Sequence, residues 1–549
     1  MSFSHKFRTC LIFLSLTCSL ALAVPRLTVI FVVDQFAHHY VQRLKPYLRG
    51  GITTMLKNGI VYENAYYPHA MPATGTGHAA LNTGCYAKDH GIISNKWYDT
   101  KGDLVYCDQD SPKNAAVFGP NGKLLNQGRS AKNQVVEGIS DQIILNSEPG
   151  SKNKVFSISY KSRAAILAGG DAGKAIWFDA KTGHFTTSKA YFDSLPEWIS
   201  DFNETVQLYK PQKLVWEQLH PEKTHAYDTA NATNYKFSTK KSWLGKTIQI
   251  PDARFNKKAP FEKFTLLPQS NQTLLDLAAH CIGVNLSQNK KDKMVVWISI
   301  TATDRLGHLF GPDSKEMFDL IYHLDRQMKQ FMKKVEAFVR KADTMYVLTA
   351  DHGIAPIPAI AHKAGIRPAM IINEVEWVKN LNKAIGKKYD VDNFIEHYRT
   401  PCFYFHQGIY NGLKKKKRKK IVKYLKKMVK EHPGIKTAWT PKKLLKQTFQ
   451  PWDIESFYKN QYFPGRSGDL IVQVKPFCIT TKYLNGTGHR SPYEYDTHVP
   501  LMFHQHGAFD QKTIYDRVSM LQFANTLANI LEVPNAPAST FNILPGMFS

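Results

Sequence analysis

LTVIFVVD, Leu27 to Asp34, is a run of seven apolar or β-branched residues that ends abruptly in a carboxylate. So short a run, with no polar alternation, is the pattern of a strand covered on both faces, as in a parallel sheet between two helix layers. The pattern returns at VFSISY (Val155–Tyr160) running into Lys161, at MVVWISI (Met294–Ile300) running into a loop that carries Asp304, and at MYVLTA (Met345–Ala350) running into Asp351. Between the last two strands lies KEMFDLIYHLDRQMKQFMKKVEAFVR. Its Met317, Leu320, Leu324, Met328, Phe331, Val335 and Phe338 recur at three- and four-residue steps, which is one helix face packed on a sheet. Strand-like and helical segments in alternation predict an α/β fold, a wound and mostly parallel central sheet with helices on both faces. In such a sheet the ligand site gathers at the carboxyl ends of the strands. Asp34, Lys161, Asp304 and Asp351 all fall there.

The flanking sequence sets the setting of that sheet. Lys6 and Arg8 precede CLIFLSLTCSLALA, and Ala21-Leu22-Ala23 has the small-x-small form that signal peptidase reads, so residues 1–23 are expected to be a removed leader. The protein is then exported, to the periplasm or the medium, with 24–549 as one catalytic domain. No later run is long and apolar enough to span a bilayer. The composition, 43% hydrophobic and 12% aromatic over 549 residues, is that of a globular chain. A net charge of +27 favours anionic partners. Cys85, Cys107, Cys281, Cys402 and Cys478 remain after the leader, an odd number that leaves at least one unpaired, without the CxxC spacing of a thiolate metal site. An aromatic- and lysine-rich insertion is expected at about 178–260. A cap subdomain is expected at about 364–480, because the span between His352 and His498 is too long for a loop and holds the strand-like DLIVQV. It also holds KKKKRKKIVKYLKKMVK, Lys414 to Lys430, an amphipathic pattern on Ile421, Tyr424, Leu425 and Met428. The main reading of that helix is a solvated charged face, the lesser one electrostatic association with an anionic surface.

Asp304 and His308 stand four apart in DRLGHLFGP, Asp351 and His352 are adjacent in TADHG, and His498 lies in YDTHVP. With Asp34 they make three carboxylates and three imidazoles, enough for two zinc ions. Two such ions about 4 Å apart suit in-line phosphoryl transfer. MPATGTGHAALNTG, Met71 to Gly84, sets Thr74 and Thr76 at a glycine-flanked helix entry. There a threonine is either a helix cap or a nucleophile, and the stretch alone leaves both open.

The segments VVDQF, ATGTGHAALNTG, HGIISNKWYD, YKSRAAI, DRLGHLFGPDS, TADHG and SPYEYDTHVPLMF, taken in this order, resemble the alkaline phosphatase superfamily, and within it the PafA-type, phosphate-irrepressible enzymes with a threonine nucleophile. The resemblance implies an alkaline phosphatase fold, two Zn2+ ions and hydrolysis of small phosphomonoesters through a phosphothreonine. It implies Thr74 as nucleophile and metal ligand, with Thr76 the alternative. Asp34, Asp351 and His352 would hold the activating metal, and Asp304, His308 and His498 the metal on the departing oxygen. Asn95, Lys161 and Arg163 would bind the non-bridging phosphoryl oxygens. The rival within the superfamily is a phosphodiesterase of the nucleotide pyrophosphatase kind, against which the Lys161 and Arg163 pair argues, since a monoester carries the extra charge. Sulfatases are disfavoured by the lack of a CxPxR motif. A non-catalytic exported polyanion binder would explain the charge but not the metal-competent residues. Nucleic-acid binding has no module to support it.

Overall fold

The computed structural model describes residues 24–220, 225–228, 230, 242–483 and 485–548, so the expected leader lies outside the described residues. Nine strands form the main sheet: β1 (Leu27–Val33), β2 (Ile60–Tyr66), β3 (Lys154–Ser159), β4 (Lys174–Asp179), β5 (His184–Thr186), β6 (Met294–Ile300), β7 (Thr344–Thr349), β8 (His498–Gln505) and β9 (Lys512–Ser519). Their order is β5-β4-β3-β6-β1-β7-β8-β2-β9. The pairs from β4 through β7 are parallel, β2 with β9 is parallel, and β5 and β8 run against their neighbours. Every residue of β1, β6 and β7 is buried, as uninterrupted apolar runs require when helices cover both faces.

Register decides where the chemistry goes. Val33 stands opposite Ile300 and Val32 opposite Thr349, so β1, β6 and β7 end level with one another. The next residues of each, Asp34, the helix carrying Asp304, and Asp351 with His352, therefore leave the sheet at one rim. The helices that serve this rim or back the sheet are α1 (Thr74–Thr83), α2 (Ser162–Gly169), α3 (Ala302–Phe310) and α4 (Lys315–Val335). Asp304 thus lies in the first turn of α3 rather than in a loop. The α4 stripe also ends sooner than its periodicity suggests: the helix stops at Val335, Phe338 is 44% exposed, and Val339 turns inward instead.

The described residues of 178–260 pack into the main core. β5 extends the main sheet, and Trp216, Tyr227, Ile248 and Ile250 are buried in the main core. Their anchor is Asp319 on α4, whose carboxylate accepts from Trp216 Nε1 at 2.7 Å, the Leu219 amide at 2.8 Å and the Tyr227 hydroxyl at 2.6 Å. Farther along, a second core spans Ile372 to Cys478 around a four-stranded sheet, ordered Ile395–Arg399, Cys402–Phe405, Leu470–Val474, Ile435–Trp439. The lysine-rich helix α5 (Lys415–Glu431) lays Ile421, Leu425 and Val429 on it, with Tyr424 and Met428 half-buried beside them. The five cysteines among the described residues are buried and unpaired. None of the described helices is long and apolar enough to cross a membrane.

Burial alone would raise the Asp319 carboxyl, but hydrogen bonding and charge from His323, with Tyr227 and Leu219, hold it below the ordinary range. A carboxyl depressed on folding stabilises the native state above its unfolded pKa, and that stability is lost as pH falls through the folded value. Asp319→Asn is expected to remove roughly 2–4 kcal/mol near neutral pH and to speed proteolysis within 207–261. The stability gap to wild type should close in acid; chemical denaturation of both proteins across pH checks it.

Candidate active site

Asp34 is held at the end of β1 by its amide, which donates to the Ile300 carbonyl at 2.9 Å, and its own carbonyl accepts from the Thr303 hydroxyl. One turn of α3 brings His308 Nε2 to 3.2 Å from Asp304 Oδ1. Asp34, Asp351 and His352 offer ligand atoms within 4.8 Å of one another, and all three are buried. Asp304, His308 and His489 form a second such group. The rings of His352 and His489 stack at 3.7 Å, which places the two groups side by side.

The three imidazoles are oriented alike. Nδ1 of His352 is bonded to the Gly353 carbonyl at 2.9 Å, that of His308 to Thr487 O at 3.1 Å, and that of His489 to Pro72 O at 2.8 Å. A ring nitrogen that meets a carbonyl must carry the proton, so Nε2 of each ring keeps its lone pair. These atoms face carboxylate oxygens: His352 Nε2 lies 3.5 Å from Asp34 Oδ1 and 3.6 Å from Asp351 Oδ2. Asp34 Oδ1, Asp351 Oδ2 and His352 Nε2 are buried without a hydrogen-bond partner among the described residues. Buried acceptors aimed at one another, unbridged by any donor, are the donor set a dication fits. Burial and the nearby Asp34 charge push the Asp351 carboxyl well up. Asp304, despite its burial, is held well below the usual range by the Lys161 ammonium and His308.

His498, expected in the second group, is not there. It opens the antiparallel strand β8, where pairing sets it opposite Tyr66. Its ring is sandwiched between His38 and Tyr66 at 4.2 and 4.3 Å, and Nε2 is bonded to the Glu63 carbonyl at 2.7 Å. Burial and the His38 ring lower its pKa to about 4. His489, nine residues earlier on the loop that returns over the rim, takes the place instead. Its sequence signal was the glycine-flanked GTGHR, a loop that brings an imidazole close to backbone.

Thr74 is the first residue of α1, and the N-cap position belongs to Ala73, with no side-chain capping bond. The Thr74 hydroxyl is 1% exposed and lies 3.5 Å from Lys161 Nζ. That ammonium sits between Asp34 Oδ2 and Asp304 Oδ2, 2.5 Å from each. Gly77 lets the helix approach: a Cβ there would stand 2.2 Å from the Asp351 carbonyl oxygen. Gly75 N donates to Asn95 Oδ1 at 2.7 Å, which fixes Asn95 against the helix start and leaves its amide nitrogen as donor. Lys161 is the N-cap of α2 and Arg163 lies in its first turn, half-buried, with Nε lacking a partner among the described residues. Gln35, an unassigned residue of VVDQF, ties the groups together: its amide donates to Asp351 Oδ1 at 3.1 Å and its Nε2 to Asp304 Oδ1 at 2.8 Å.

Two candidate ligand groups side by side, next to a buried hydroxyl at a helix start, suit metal-assisted transfer of a phosphoryl group to that hydroxyl. The chain belongs to the type I phosphodiesterase/nucleotide pyrophosphatase family, whose model matches residues 28–500. Its relatives include alkaline phosphatase PhoV of Synechococcus elongatus, 28% identical over 95% of this chain and 92% of that one, and alkaline phosphatase PafA of Elizabethkingia meningoseptica, 28% identical over 93% and 92%. A crystal structure of PafA superposes with a TM-score of 0.83 at 26% identity, covering 95% of this chain and 99% of that one.

His489→Ala is expected to lower the metal content markedly and to remove most activity, whereas His498→Ala should leave metal content near wild type. Elemental analysis of the dialysed proteins separates the two; the opposite pattern would return His498 to the ligand set.

Proposed function

We propose that this protein is an exported phosphate monoesterase of the PafA type, acting through a phosphothreonine on Thr74 at a two-zinc centre. Asp34, Asp351 and His352 with Thr74 would hold one ion, and Asp304, His308 and His489 the other. Bound there, zinc supplies Lewis acidity toward the attacking and departing oxygens. The observation that carries the reading is the Thr74 hydroxyl, free of any capping role and within 3.5 Å of an ammonium shared by two carboxylates.

In the reaction Thr74 Oγ1 attacks phosphorus, the new O–P bond forms as the bond to the alcohol oxygen breaks, and water then cleaves the phosphothreonine to inorganic phosphate. Lys161, already near Oγ1, reaches a phosphoryl group carried on that atom. Asn95 presents an amide donor to it, and Arg163 brings a guanidinium suited to paired oxygens. The α1 start adds its own preference for an anion. The family name extends to diesterases, but a buried ammonium and a guanidinium beside the nucleophile favour the substrate with more charge and no second organic group.

Thr74→Ala should fold and keep most zinc while losing roughly 10³-fold or more in turnover. Acid-quenched wild type should show one added phosphoryl group on the peptide containing Thr74, and its appearance on Thr76 would move the nucleophile. For Lys161→Ala with Arg163→Ala, each lost charge-assisted hydrogen bond is worth roughly 1.5–3 kcal/mol. The monoester kcat/KM should therefore fall by about two to four powers of ten and the diester value far less. Comparison of 4-nitrophenyl phosphate with bis-4-nitrophenyl phosphate reads this out. An equal fall for both, or a wild-type preference for the diester, would give the family's other activity to this chain.

A further inference from the structure

Beyond the groups assigned above, an excess of positive charge rises from the same rim toward the second core. Lys96 follows Asn95 and opens the short strand Lys96–Tyr98, Arg490 follows His489, and Arg399 and Lys482 come from the Ile372–Cys478 region and its exit. Arg399 Nε donates to the Lys96 carbonyl at 3.1 Å, and both residues line one cleft with Met71 and Ser94, just before the Thr74 turn and Asn95. Arg490 is near enough to Asp304 and Arg163 to interact with both, and Glu374 is the acidic neighbour that these cations share. None of Lys96, Arg163, Arg399, Arg490 and Lys482 makes an ion pair among the described residues. Burial first, and then the charges of Arg399, Arg490, Lys482 and Arg163, bring the half-buried Lys96 down to about 8. Arg490 also holds a left-handed backbone, φ 104°, which a non-glycine residue adopts only under constraint.

Unpaired like charges gathered beside a reaction site destabilise the free protein, and an anion delivered by a substrate relieves them. With Asn95, Lys161 and Arg163 assigned to the transferred phosphoryl group, the cations farther out are left for what is attached to it. We propose that Lys96, Arg399, Arg490 and Lys482 form a subsite for a second phosphate on the leaving group, so that substrates with two phosphates on one small carbon skeleton are preferred over single phosphomonoesters. The inference rests on the monoesterase reading of the same site.

The test uses the zinc-loaded full-length enzyme with propyl phosphate and propane-1,3-diyl bisphosphate, which share a skeleton and differ in the second phosphate. Wild type should show a kcat/KM at least about tenfold higher for the bisphosphate, the scale of one charge-assisted contact. Lys96→Ala with Arg399→Ala should bring the two values within about threefold of each other, twofold being the statistical factor for two equivalent phosphates, while propyl phosphate hydrolysis stays within about threefold of wild type. Lys482→Glu, a change at an exposed position with little risk to folding, should lower the ratio in the same direction, and Arg399→Lys should retain most of it. Equal wild-type values for the two substrates overturn the subsite alone. Parallel loss on both substrates in the variants also overturns it, because it means general attraction of anions instead. Failure of wild type to hydrolyse propyl phosphate overturns the monoesterase reading and the subsite with it.

Discussion

Three buried carboxylates at the rim of one sheet constrain everything else in this molecule. Asp34, Asp304 and Asp351 are each at most 5% exposed, and one ammonium reaches the first two at once. Charges of one sign so placed in low dielectric repel strongly unless positive charge or donors are set among them. Lys161 and Gln35 answer part of that demand from the protein itself, and the three Nε2 lone pairs define the remaining positions as places for a cation. The surrounding structure reads as the means of holding this arrangement. The level ends of β1, β6 and β7 aim the carboxylates, backbone carbonyls lock the rings, and Gly77 lets α1 press against the Asp351 backbone.

Much of this was legible in the sequence, and the limits have physical causes. The fully buried strands declared themselves because a strand covered on both faces has no polar alternation to hide it, and the residue after each run fell at the rim because parallel strands share a carboxyl end. Asp304 reads as a loop residue because it follows the β6 run at once, and although Thr301 stands at the N-cap of α3 it makes no side-chain capping bond there. His489 and His498 lie nine residues apart in one polar stretch. Only the pairing of β8 with β2, contacts more than 430 residues distant, commits one ring to Tyr66 and Glu63 and frees the other. Gln35 gives no signal in composition at all, for an uncharged amide after a strand is indistinguishable from a turn residue until both of its partners are known.

The two regions beside the main sheet solve different problems. The described residues of 178–260 enlarge the main core, and the three bonds that Trp216, Leu219 and Tyr227 give the Asp319 carboxylate tie them to α4. The region around the second core keeps its own apolar interior, and it offers the rim both packing, through the cluster that joins Ala70 to Tyr404, Phe457 and Tyr458, and charge, through Arg399 and Lys482. Arg399 and Lys482 thus stand beside cations of the rim itself, Lys96 and Arg490, so that substitutions in the second core's region can alter the charge near the site without touching the carboxylate cluster.

The central place of β1 also dictates an order of assembly. The strand made first is flanked by β6 and β7, which follow some hundreds of residues later, and β8 joins after them. Until the segment bearing Asp304 has emerged, the growing chain holds only Asp34 and Thr74 among the ligand groups, isolated donors with no partner to share an ion. Capture of metal is thus a late event that follows closure of the sheet. Contacts of such long sequence separation make that closure slow, which leaves the chain free of a premature, wrongly chosen ion for as long as it is incomplete.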